Sequence, residues 1–283
     1  MARQFVIFIH IHKCGGSSLS SVIRRNLCHP PEQLTPADGI ASLKPQGLVE
    51  SILRTARRDG YVMGHLGYGT HLIFASPCRY FTMLREPQSR LISLWRHAVV
   101  TPSAYYHKAA RDLSFPAFLA QRRPLELDNG LVRFLSGDPA GENVFINPRP
   151  FGTLDQSDLQ RALTNLEHGL EGFGLVEQFD KSLLLMKAQL GLRHCFYERL
   201  NEASPAVPKP SFPDEALPLV SLDQVLYSAA LRIWQERIAS QPASFESSLV
   251  QFQTVNRALQ PAFWLRQGLK KGLSALRIPQ PQR

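Results

Sequence analysis

Near the start of the chain, His10-Ile-His-Lys-Cys-Gly-Gly-Ser-Ser-Leu19 gathers groups suited to holding an anion. Gly15 and Gly16 let the backbone come close to a ligand, and free amides at a helix start point toward it. Lys13 adds a full positive charge, and Ser17 and Ser18 add hydroxyl donors. The lysine precedes the glycines, so this is not a Walker A loop, whose lysine follows the last glycine. The plain alternative is a glycine-tightened turn with a solvent-facing lysine. A second cluster, Leu84-Arg-Glu-Pro-Gln-Ser-Arg-Leu-Ile-Ser93, offers Arg85 at the end of an apolar run. Arg90 and Ser93 lie three apart and so neighbour each other on a helix. An arginine fork with a hydroxyl suits a second phosphate group.

The elements that must position these groups are readable around them. Residues 5–11, FVIFIHI, are apolar without alternation, the mark of a strand buried on both faces of a parallel sheet. A helix is predicted from Ser17 onward. Residues 28–47 read as a loop, 48–59 as a helix, 61–64 as a short strand ending at His65, and 79–84 as another buried strand. Pro87 suits the first turn of a helix over 88–100. Strands alternating with helices predict an α/β protein with a central parallel sheet flanked by helices. Beyond residue 100 the chain reads as mainly helical. Helices are expected near 115–122, 130–136, 155–168, 179–190 and 221–240, with strands at 173–176 and 194–198.

The net charge of +9 favours anionic partners without naming one. Cys14, Cys28, Cys78 and Cys195 form no zinc-type spacing, and no carboxylate or cysteine falls usefully beside the histidines, so no metal site is expected. The cysteines read as free thiols of a reducing compartment. The first apolar run is too short to span a bilayer and lacks a cleavage site after it, and no later segment reads as a membrane helix. A soluble cytoplasmic protein is the expectation. After Glu246 there is no acidic residue, while Arg257, Arg266, Lys270, Lys271, Arg277 and Arg283 follow. Phe263, Trp264, Leu265, Leu269, Leu273 and Leu276 form a rough apolar stripe. The favoured reading is a helix packed on the domain with a solvated basic face. The other is a surface that meets an anionic membrane or polymer.

Taken together, the two anion-binding clusters resemble the PAPS-dependent sulfotransferases, in particular the carbohydrate branch with the heparan sulfate 2-O- and 6-O-sulfotransferases and their bacterial relatives. HIHKCGGSSL is similar to that family's 5′-phosphosulfate loop, and REPQSRLISLW to its 3′-phosphate motif. DNGLVRFLSG (128–137) and GFGLVEQFDKSLLLMKAQLG (172–191) resemble further family segments. His12 stands where the family usually has proline, and Cys14 where it has threonine. The resemblance implies the P-loop-kinase-like sulfotransferase fold over residues 1–255, with 256–283 as a basic amphipathic tail. It implies PAPS as co-substrate and PAP as product, no metal, and a hydroxyl acceptor, most naturally on a carbohydrate. Lys13, Gly15, Gly16, Ser17 and Ser18 would contact the 5′-phosphosulfate, and Arg85 and Ser93 the 3′-phosphate. His65, in a Gly-His segment, would be the base, with His10, His12 and His97 as rivals. A histidine of ordinary pKa, ~6.5, would lose activity as pH falls through that value. No nucleic-acid partner is expected. The alternatives are a P-loop-like nucleotide kinase, which lacks a clear magnesium-binding aspartate here, and a non-catalytic nucleotide- or glycan-binding module on the same fold.

Overall fold

The first apolar run becomes the middle strand of a parallel sheet. In the computed structural model, residues 5–26, 33–34, 60–74, 77–122, 124–140, 146–198 and 207–275 are described, with single helical positions at Glu50, Ile52, Arg54 and Ala56. The strands are β1 (Phe5–Ile9), β2 (Gln33–Leu34), β3 (Tyr61–Gly64), β4 (Cys78–Leu84) and β5 (Leu170–Leu175). All pair in parallel, in the order β2-β3-β1-β4-β5. With a neighbour on each side and cover on each face, β1 has no polar side to present, which explains its unbroken apolar sequence. Ile7, Phe8 and Ile9 are fully buried.

Ile9 stands opposite Gly64 on one side and Thr82 on the other, so β1, β3 and β4 end nearly level. The buried Thr82 hydroxyl donates to the Ile9 carbonyl at 2.9 Å and closes that edge. The chain leaves β1 toward β2 and leaves β4 toward β5, on opposite sides. The carboxyl ends of β1 and β4 therefore flank the point where the connections diverge, the crevice in which open parallel sheets bind ligands.

Helix α1 (Gly16–Asn26) follows β1, and α2 (Pro87–Val100) follows β4 with proline in its first turn. Then come α3 (His107–Asp112), α4 (Phe115–Ala120), α5 (Gly130–Ser136) and α6 (Gln156–Thr164). Asp155 and Asp158 form a capping box at the start of α6. Helix α7 (Phe179–Leu190) stops at Gly191, whose left-handed backbone ends it as the sequence implied. Helices α8 (Ser221–Ala239) and α9 (Ser244–Ala275) complete the described chain. The main core surrounds the sheet, and a smaller one joins α2, α3 and α4 through Leu91, Leu94, Ala110, Phe115 and Phe118.

Several expectations need correction. Gln33–Leu34 pairs with β3, inside a stretch read as loop. The rest of 28–47 lies outside the described residues, as does most of the helix expected at 48–59. Residues 194–198 join no strand; instead the Tyr197 amide donates to Asn256 on α9 at 2.8 Å. Helix α3 was not anticipated.

Candidate anion-binding and proton-transfer site

The backbone after β1 turns in a way few residues tolerate. Lys13 (φ 63°) and Gly15 (φ 72°) both adopt the left-handed region. A side chain on Gly16 would meet the His10 ring at 2.0 Å, so position 16 admits only glycine. The turn delivers the chain directly into α1, whose first amides lack helical partners and whose first turn holds no acidic residue. The positive end of α1 is thus open to an anion. Ser17 is exposed and Ser18 buried at that end.

Arg85 stands at the neighbouring strand end and donates to the Lys13 carbonyl at 3.2 Å. Sequence reasoning gave these two cations to two separate anion-binding clusters, and the fold sets the Arg85 guanidinium against the Lys13 backbone. Burial first, and Arg85 second, lower the Lys13 ammonium to about 8. A half-buried pair of cations is costly without an anion between or beside them.

The start of α2 behaves differently from that of α1. Glu86 caps it, accepting from Gln88 at 3.0 Å and Ser89 at 2.7 Å, so its amides are taken. Ser93 lies half-buried in the second turn of α2. Arg90 is where the sequence reading fails. It was paired with Ser93 as a phosphate fork, but it is fully buried. Its guanidinium donates to the Glu126 carbonyl at 2.9 Å and pairs with the equally buried Asp223 at 3.6 Å. Asp223 in turn accepts from the Leu131 and Val132 amides at the start of α5. Burial lifts the Asp223 carboxyl to about 6, against the pull of Arg90 and those amides. Arg90 therefore ties α2 to α8 and, through Asp223, to the start of α5.

The segment 128–137 is likewise a structural hub. Arg133 is fully buried and spends its donors on the carbonyls of Asp128, Asn147, Arg149 and Pro150 and on the Asp128 carboxylate. Asn129 accepts from Leu222 and Asp223 at the start of α8. Glu177, which a base search would consider, is already engaged by the Glu86 amide at 3.0 Å and the Tyr227 hydroxyl at 2.8 Å.

Three histidines meet beside the Lys13 loop. The His65 ring lies flat on His12, with centroids 3.6 Å apart and planes 2° from parallel. His10 stacks on the same ring at 4.5 Å. His65 Nδ1 lies 2.6 Å from the His10 carbonyl. A carbonyl can only accept, so Nδ1 carries the proton and Nε2 keeps its lone pair. Burial lowers His65 to about 4, while the His10 carbonyl pulls the other way. His10 and His12 are also held well below the ordinary value, first by burial and then by the other histidines and Lys13, with Arg90 adding to the effect on His12. All three are neutral at pH 7. His12 was read as a departure from proline and as a rival for the base, not as a ring stacked on His65. The signal that could have found its role is its i, i+2 spacing from His10, which puts both on one side of an extended chain. Among the described residues, no group of three or more His, Cys, Asp or Glu side chains is placed to hold a metal ion.

No protein-family model matches the chain, and no curated protein matches it in sequence. Among solved structures, it resembles the crystal structure of mouse sulfotransferase SULT7A1 complexed with PAP, with a TM-score of 0.37 and 15% sequence identity. The match covers 82% of this chain and 66% of that one, so this chain spans just under two thirds of its length.

The arrangement combines an open helix terminus, two adjacent cations, and a neutral imidazole of fixed tautomer. Chemically it can bind a multiply charged anion and accept a proton close to it. A separate cleft of about 450 Å³, lined by Tyr68, His71, Phe74, Cys78, Tyr80 and His168, opens near the amino ends of β4 and β5. None of the donor-binding or base candidates read from the sequence lines it.

Proposed function

We propose that this chain is a sulfotransferase that moves a sulfuryl group from PAPS to a hydroxyl, on a carbohydrate, and releases PAP. The observation that carries the proposal is the neutral His65, its Nε2 free to accept, beside a loop in which Lys13 and Arg85 await an anion. The groups present fit the donor. The amides of Gly15 and Gly16, the hydroxyls of Ser17 and Ser18, and the Lys13 ammonium would hold the 5′-phosphosulfate. Arg85 and Ser93 would hold the 3′-phosphate.

In the transfer, the acceptor oxygen attacks sulfur as the bond from sulfur to the phosphate oxygen breaks. The bonding pair leaves on that oxygen, and PAP departs. The acceptor proton goes to Nε2 of His65, making an imidazolium whose Nδ1–H still donates to the His10 carbonyl. Lys13 and the loop amides oppose the charge growing on the leaving oxygen, as fixed donors do in phosphoryl transfer. The net charge of +9 favours an acceptor that is itself anionic.

The test is turnover of sulfur-labelled PAPS against a panel of neutral and sulfated or carboxylated oligosaccharides. Label should appear on a sugar hydroxyl, and ATP should not compete. Absence of transfer to every sugar, or displacement of PAPS by ATP, would remove the proposal.

A further inference from the structure

The cleft at the amino ends of β4 and β5 lies at the far end of the sheet from Lys13 and Arg85. Cys78, in its wall, opens β4, and Arg85 follows the end of that strand, roughly 20 Å away. Another wall comes from the segment that leaves β3, a 3₁₀ turn over Thr70–Ile73 entered through Gly69 at φ 105°. Hydrogen bonds fasten this segment in place. The Tyr68 amide donates to the Phe134 carbonyl at 2.8 Å, and the Thr70 hydroxyl to the Gly67 carbonyl at 2.7 Å. The His71 amide donates to the Tyr80 hydroxyl oxygen, also at 2.7 Å. The cleft of about 450 Å³ is therefore preformed, as small-molecule sites usually are.

Its rings are locked against one another. Tyr68 stacks on Tyr80 with centroids 4.7 Å apart, and His71 meets both edge-on, at 5.7 and 5.6 Å. Tyr80 is buried, so its hydroxyl proton needs an acceptor. The hydroxyl oxygen already receives the His71 amide, and His71 Nδ1 lies 3.0 Å away. The proton therefore goes to Nδ1, and His71 carries its own proton on Nε2. Burial holds this imidazole below its ordinary pKa, so it is mostly neutral at pH 7. Neither His71 Nε2 nor the Tyr68 hydroxyl has a hydrogen-bond partner among the described residues. A side chain on Gly169 would meet the Tyr68 hydroxyl at 2.4 Å, so glycine there keeps that hydroxyl's place.

We propose that this cleft binds a neutral sugar ring, at a site separate from the Lys13 loop. Charge narrows the ligand first. No Lys, Arg, Asp or Glu lines the cleft, although the chain carries a net charge of +9. An ionic ligand would leave its charge uncompensated there. The rings narrow it further. Tyr68 and Tyr80 cover one another, with His71 edge-on to both, so no open pair of faces remains to sandwich an aromatic ligand. What the lining offers is ring edges, the apolar Phe74 and Pro77, and two unused polar groups. A saturated ring bearing hydroxyls matches both. Its C–H surface meets the apolar wall, and its oxygens accept from His71 Nε2 and the Tyr68 hydroxyl. The inference does not depend on sulfuryl transfer.

The experiment is titration of the full chain with maltose, lactose and N,N′-diacetylchitobiose, read by calorimetry and by tyrosine fluorescence. At least one should bind saturably, whether or not PAP is present. Tyr68→Phe removes one hydroxyl and keeps the ring, and should weaken binding by roughly 2–10-fold, the worth of one hydrogen bond. His71→Ala should weaken it by at least as much, and Gly169→Ala, which displaces the Tyr68 hydroxyl, should act in the same direction. Thermal melts check that each variant is folded, and Tyr68→Phe, the smallest change, carries the test should the others unfold. Absence of saturable binding by every sugar overturns the inference. So does binding that Tyr68→Phe leaves unchanged, or that PAP displaces, which would put the sugar at the Lys13 loop. Tighter binding of phenol than of any sugar would give the cleft to an aromatic ring. Tighter binding of a sulfated sugar than of its neutral parent would mean a cationic site, and either result overturns the proposal.

Discussion

The histidine stack makes a pH prediction opposite to the one an ordinary histidine would give. His65 is lowered to about 4 by burial, so it is a neutral base well into the acid range. At pH 5 such a group is still about nine-tenths neutral, whereas a histidine of ordinary pKa is only about 3% neutral. With kcat/KM for PAPS as the readout, which follows the free enzyme, the ratio of pH 5 to pH 7 should be about 0.9, against about 0.04 for the ordinary case. The perturbation is His65→Ala. It should lower kcat by ~10²–10⁴-fold across this range, the usual worth of a positioned base. His12→Phe keeps a flat ring against His65 and should keep most of the rate, whereas His12→Leu should not. The assay is initial-rate transfer of labelled sulfate between pH 5 and 8, with circular dichroism confirming the fold at each pH. A wild-type midpoint near 6.5 would refute the reasoning about burial. An acid limb that moves with His10 or His97 and ignores His65 would refute the assignment of the base.

Other consequences are open to measurement. Because His10, His12 and His65 are neutral when folded and charge when unfolded, stability is complete above about pH 6.5 and falls as pH drops below it, by up to about 1.4 kcal/mol per pH unit for each. Urea melts of His12→Phe should show that slope reduced by one proton; an unchanged slope would mean His12 is charged in the fold. Lys13, near 8 when free, should take up roughly half a proton on binding PAP at pH 8, seen by calorimetry in buffers of differing ionisation heat and absent in Lys13→Met. Asp223→Ala strands the buried Arg90 and two amides, and should cost about 3–5 kcal/mol in chemical denaturation, while an Arg90→Met/Asp223→Leu pair should cost clearly less. Arg85→Ala should erase the preference for PAP over adenosine 5′-phosphosulfate in titration calorimetry; a retained preference would move the 3′-phosphate elsewhere.

The sheet and the loop after β1 were legible because their signals are local. An unbroken apolar run, two glycines and a lysine fall within a dozen residues, and Arg85 follows the next buried run. What could not be read was pairing over long range. Arg90 sits three residues from Ser93 on one helix, so spacing alone joined them. Its actual partner, Asp223, lies on α8, and no periodicity connects the two. The same holds for Arg133, whose acceptors are mostly backbone carbonyls around Asn147 and Pro150. His12 is the intermediate case. Its spacing from His10 was visible, but only the level ends of β1 and β3 bring His65 between the two rings. Helix α9 was seen as amphipathic, yet which side meets the domain depends on Tyr197 and Arg25, far away in sequence.

The His10 residue joins β3 twice. Its amide donates to the Gly64 carbonyl at 2.7 Å, and its own carbonyl receives the His65 ring. The ladder between β1 and β3 thus gains one further rung, made by a side chain. A ring used as a rung has lost its rotamer freedom during folding, before any substrate arrives. The ordering that a mobile base would undergo at the moment of reaction is already complete, which is the entropic advantage of a preset geometry. Loosening the stack should therefore surface in the temperature dependence of the rate, as a more negative activation entropy with little change in activation enthalpy.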